Sequence, residues 1–184
     1  KSLLPLVKSY LRCLPEKQIK CLKDENIPLP NETTPIFDYP FFLKTLDLKL
    51  INNMSKKWIN DSGNKNHIVL LKEIFVAYFL EQAEKISFIH LNESAQTLAK
   101  NQNASNLKML RKLHISSWKD ESSFMEKITT FTNHLQLISA ECVNYKTKAL
   151  ALASLIQKQT SLQHLKLLYT SSDNYCSIIF KSLP

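Results

Sequence analysis

Glycine is almost missing: Gly63 is the only one in 184 residues. Phosphate-cradling loops and dinucleotide-binding turns need several glycines for tight turns and close backbone approach, so both are excluded. The glycine-flanked serine elbow of hydrolases is missing too. Arginine is nearly as scarce. Of 24 basic residues only Arg12 and Arg111 are arginine, in a chain of net charge +8. Such a charge suggests a nucleic-acid or anionic-membrane partner. Bidentate phosphate and base contacts favour arginine, however, and the lysines are spread along the chain. Nucleic acid is the less favoured partner on that basis.

The four cysteines, Cys13, Cys21, Cys142 and Cys176, include no CxxC pair, and no histidine stands at zinc-finger spacing. They read as buried free thiols of a reducing compartment. No charged-then-apolar leader opens the sequence, and no apolar run reaches the length of a membrane span. A soluble intracellular protein, cytoplasmic or nuclear, is the expectation. Asn-x-Ser/Thr sequons stand at Asn31, Asn53, Asn60, Asn92 and Asn103. They would accept glycans only in a secreted receptor, a third reading of the chain.

What is present is a core-forming composition, 44% hydrophobic, and one phrase that recurs. Leu110-Arg111-Lys112-Leu113-His114-Ile115 has apolar residues at its first, fourth and sixth places. The phrase returns at Ile86–Leu91 and Leu162–Leu167, in a degenerate copy at Leu135–Ala140, and in a first copy at Leu43–Leu48, a stretch that also fits a helix. The last three intervals between starts are 24, 25 and 27 residues. That is the period of leucine-rich repeats, each unit a short strand plus a helix. The predicted fold is α/β: a leucine-rich-repeat solenoid, with a short curved parallel sheet and helices on its convex side. Helices are expected at 50–59, 68–83, 94–101, 122–131, 147–157 and 174–183. The helix at 68–83 should pack on the convex side.

Before the array, Leu3, Leu4, Leu6, Val7, Tyr10, Leu11 and Leu14 keep a helical period. Pro15 then suits the first position of a second helix, with Glu16 in its first turn, and Asn26 and Pro28 end it. This helical hairpin, with the Pro-rich connector that follows, occupies 1–40 and caps the array. Residues 41–184 hold about five irregular repeats continuous with the cap.

The opening Leu3-Leu4-Pro5-Leu6-Val7-Lys8-Ser9-Tyr10-Leu11-Arg12-Cys13-Leu14-Pro15-Glu16-Lys17, then Asn26-Ile27-Pro28-Leu29-Pro30 and Pro35-Ile36-Phe37-Asp38-Tyr39, resembles a particular group. It is similar to the segment directly after the F-box in the F-box/leucine-rich-repeat family expanded in arbuscular mycorrhizal fungi. The resemblance spans essentially the whole chain. The Asn or Cys usual at the ninth place of each unit is replaced by Ile51, Ser94, Trp118, Val143 and Thr170. The F-box itself would lie upstream of Lys1, so the chain is expected to be a fragment of a longer protein. The resemblance implies a substrate-recruiting module of a cullin–RING ubiquitin ligase, with a Skp-type adaptor bound by the F-box.

Side chains alternate along a strand, so the places between the apolar ones should form the open, concave face. They are the candidate client contacts: Asp47, Phe88, His90, Lys112, His114, Ser139, Glu141, His164 and Lys166, with Phe88 as apolar anchor. His90 and His114 should be cross-strand neighbours, with Lys112 opposing any charge on the histidine. A two-histidine metal site lacks a third ligand at clear spacing. Neither a metal nor a cofactor is expected, and acids such as Glu73, Glu81 and Asp120 read as solvated helix residues. With no catalytic constellation in the sequence, a non-enzymatic binding module is the reading. The alternative is a basic scaffold for RNA or an anionic membrane surface.

Overall fold

The computed structural model describes residues 3–31, 37, 39–60, 64, 66–91, 104–116, 122–141, 143, 145–168 and 173–183. The chain opens with two helices, α1 (Leu4–Cys13) and α2 (Glu16–Asp24). α1 stops because Leu14 precedes a proline, which pushes it out of the helical region to ψ 137°. Pro15 sits at the cap of α2 rather than inside its first turn. α2 ends on Asn26, whose φ of 55° is left-handed. The Ile27 amide donates to the Leu22 carbonyl at 2.9 Å, and the Asn26 amide to that of Lys23 at 2.9 Å. With Leu22 and Ile27 both buried, this is a Schellman stop with its hydrophobic contact.

Five strands follow: β1 (Thr45–Asp47), β2 (Phe88–Leu91), β3 (Lys112–Ile115), β4 (Leu137–Glu141) and β5 (His164–Leu168). They form one parallel sheet in chain order. Between them stand α3 (Leu48–Asn60), α4 (Asn66–Gln82), a 3-10 turn at Ala104–Met109, α5 (Ser122–Phe131) and α6 (Lys146–Gln157). α7 (Asp173–Phe180) follows β5. The first copy of the phrase is therefore a strand, not a helix. The helix expected at 94–101 lies outside the described residues.

The phrase sets the register. Its second-place carbonyl in one unit accepts from the second- and third-place amides of the next. Lys44 accepts from Ser87 and Phe88 at 2.9 and 3.2 Å, and Ser87 from Arg111 and Lys112 at 2.9 Å each. Arg111 accepts from Gln136 and Leu137 at 2.7 and 3.1 Å, and Gln136 from Gln163 and His164 at 2.9 Å each. The same bond thus recurs at every strand junction, the degenerate copy included.

The fourth and sixth places point into the core. Leu46, Leu48, Ile89, Leu91, Leu113, Ile115, Ile138 and Ala140 are all buried. They share one apolar cluster with Met125 and Ile128 of α5, Leu152, Leu155 and Ile156 of α6, and Ile179 of α7. Successive helices touch in chain order, α5 on α6 and α6 on α7. α4 is apolar on nearly every side because α3, α1 and two 3-10 turns, at Tyr39–Phe42 and Ala104–Met109, surround it. Tyr10 of α1 sets its ring edge-on to Phe79 at 4.7 Å, and the Tyr78 hydroxyl donates to the Cys13 carbonyl at the orphan end of α1. Behind β4, buried Gln159 accepts from the Leu135 amide at 3.0 Å and donates to the carbonyls of Leu155 at 3.0 Å and Thr132 at 3.3 Å. It holds the α5–β4 turn against α6.

The expectation of buried thiols is corrected. Among the described residues Cys13, Cys21 and Cys176 form no disulfide, but Cys21 is exposed and the other two are half-buried; Cys142 lies outside the described residues. Cys21 precedes Leu22, the α2 residue that takes the core position, and so points outward. Among the described residues no helix is long and apolar enough to cross a membrane.

Candidate functional site: the open face of the sheet

The opposite sheet face is not covered by the buried cluster. Its residues form rows, because each strand pairs with the next in equal phase. One row runs Thr45, Phe88, Lys112, Leu137, His164; the next runs Asp47, His90, His114, Ser139, Lys166. Neighbours in a row are about 4.8 Å apart at the backbone. Glu141 and Leu168 pair one step further along. By register and alternation the nine candidate contacts take this side of the sheet. Lys112, His164 and Lys166 are exposed, Ser139 is buried, and the others are half-buried.

Four of them form a continuous polar chain across the middle of the sheet. Asp47 ends β1 and caps α3: its Oδ1 accepts from the Leu50 amide at 3.0 Å. Its other oxygen, Oδ2, lies 3.4 Å from His90 Nδ1. The His90 and His114 rings meet edge-on, with centroids 4.6 Å apart. His114 Nε2 lies 3.4 Å from Glu141 Oε1. The order is carboxylate, imidazole, imidazole, carboxylate, so each outer acid can accept an N–H from the histidine beside it.

The His114 imidazole takes up its proton at lower pH than usual. Burial opposes the charge first, and then His90; Glu141 works the other way, Lys166 opposes again, and Asp47 favours. The opposing lysine is therefore Lys166, two strands away, not Lys112. Lys166 is the register mate of Ser139, which in turn pairs with His114, so it stands at the level of the imidazole.

Ser116, just past β3, follows His114 by two and so shares this face by strand alternation. Its Oγ lies 3.1 Å from His90 Nε2 and 3.0 Å from the Leu91 carbonyl. Asp47, His90 and Ser116 thus stand in the atom order of a nucleophile-activating relay. The Ser116 amide, however, is spent on the same Leu91 carbonyl at 2.9 Å, so it is not left to hold an oxyanion. The hydroxyl acts as a rotor between two acceptors. Turned to His90 it donates to Nε2; turned to Leu91 it accepts from a protonated Nε2. Among the described residues no group of three or more His, Cys, Asp or Glu is placed to hold a metal ion.

The described part of the chain is thus an α/β protein with a five-stranded parallel sheet, one face buried and one open. Comparison with protein-family models, curated proteins and solved structures finds no match.

Proposed function

We propose that this chain is the substrate-recruiting repeat region of an F-box protein in a cullin–RING ubiquitin ligase. On this reading its strand–helix units are irregular leucine-rich repeats stacked as a curved solenoid, and the open sheet face is concave. The observation that carries the reading is the pair of registered rows. Five strands present apolar, cationic and hydrogen-bonding side chains in phase, at a spacing an extended partner can follow. Phe88 and Leu137 supply apolar contact, flanking Lys112 in one row. Asp47 and Glu141 are answered by histidines, which leaves Lys112 and Lys166 as the outward charges.

The chemistry is positioning. The face holds a lysine-bearing client near the charged ligase and makes no bond itself; a Skp-type adaptor would join only if an F-box lies upstream of Lys1. Replacing Phe88, His114 and Lys166 together by Asp should abolish client capture while circular dichroism stays unchanged. Capture that survives the triple change would overturn the assignment of the face.

The net charge of +8 favours a second reading, a lysine-rich scaffold for RNA or anionic lipid. Its mark is RNA affinity that falls steeply with salt.

A further inference from the structure

We propose that a second site, remote from the sheet face, binds a mononucleotide: one phosphate monoester on a flat base. The site is a cleft of about 440 Å³ between α1, the connector after α2 and α3, lined by Lys8, Arg12, Pro28, Leu29, Pro30, Asn31 and Trp58. That volume lies within the range of about 300–1,000 Å³ common for small-ligand sites.

Its two cations sit one helical turn apart on α1, both exposed. The described lining contains no acid, and neither cation has a hydrogen-bond or ion-pair partner among the described residues. Arg12 is unusual in this respect. The chain's other arginine, Arg111, turns its guanidinium back onto the carbonyls of Lys108 and Leu110, each at 3.2 Å. Arg12 leaves its planar fork available for two oxygens of one anion, the geometry at which arginine exceeds lysine. Lys8 adds a point charge beside it.

The rest of the lining suits a flat, uncharged body. The Trp58 indole N–H donates to the Pro28 carbonyl at 2.9 Å, which fixes the ring by its edge. Two lining prolines with fixed φ stiffen the connector, and Leu29 and Trp58 are anchored on the core. The α1 cations and the Trp58 ring thus line one cleft, and the ring is held in place by its bond to Pro28. Side-chain cations do the work that glycine-rich backbone does elsewhere, in keeping with a chain that has a single glycine.

The test is a titration of the full chain carrying Trp118→Phe, in which Trp58 is the sole indole. Adenosine 5′-monophosphate should quench Trp58 emission saturably. Adenosine and inorganic phosphate, each lacking one half of the ligand, should bind at least about tenfold more weakly. Lys8→Ala with Arg12→Ala should weaken the nucleotide at least about tenfold without moving the melting temperature, since both side chains are exposed. Calorimetry on Trp58→Phe, which keeps the cations, should show binding retained in part. No saturable quench at millimolar nucleotide would overturn the proposal. So would adenosine or phosphate binding as tightly as the nucleotide, or unchanged affinity in the double variant.

Discussion

His114 couples the open face to pH. Its unfolded imidazole takes a proton near pH 6.5, while the folded one holds out to lower pH, because burial, His90 and Lys166 oppose the charge more than Glu141 and Asp47 favour it. In the window below that value the unfolded chain binds more protons than the folded one. Stability is therefore full above the unfolded value and is lost as pH falls through the folded one. His114→Gln should remove this part of the slope. Melting temperatures measured from about pH 7 down to about pH 5 should fall less steeply in the variant than in the parent chain. An unchanged slope would place the acid sensitivity elsewhere. At the same scale the site was partly legible in the sequence. It placed His90 and His114 side by side, because equal phase in adjacent strands is readable from spacing. It did not pair Glu141 with His114, because that contact runs diagonally, from a residue two places past the register mate Ser139. Nor did it show the bonds of Ser116, whose hydroxyl depends on His90 and the carbonyl of Leu91 in the neighbouring strand.

The helices and strands were legible where one face is buried. Apolar residues at places one, four and six cannot be solvated without cost, so each copy of the phrase locks into one phase, and a slip of one residue would turn the whole set outward. The strands nevertheless begin at the third place, since the second-place carbonyl is used at each junction. The end of α2 was also legible, as Asn26 is one of the few residues other than glycine that tolerate a left-handed backbone. That local reason makes a prediction. Asn26→Val should lower unfolding free energy by about 1–2 kcal/mol, whereas Asn26→Gly should stay within about 0.5 kcal/mol of the parent. Urea unfolding followed by circular dichroism separates the two. The cleft at Trp58 was not legible. Its walls come from α1, the connector and α3, and only packing of the hairpin on the core brings them together.

Across the whole molecule, one construction rule accounts for both faces of the sheet. Parallel strands in chain order need a crossover each; α-helices on one face supply three of the four, and a 3-10 turn is the described part of the one between β2 and β3. That face becomes the core. The other is left with whatever residues stand between the apolar places, and any recognition must be built from them. The two rows from Thr45 to His164 and from Asp47 to Lys166 are that supply. The most direct test of the central claim is site-specific photo-crosslinking in the full-length protein in its own cells. One probe replaces Lys112, in the middle of the open face, and the other Leu150, exposed at 50% on α6 of the helical layer. The account predicts that the Lys112 probe captures a protein that becomes ubiquitinated and the Leu150 probe does not. Equal capture by both, or capture from Leu150 alone, would contradict it.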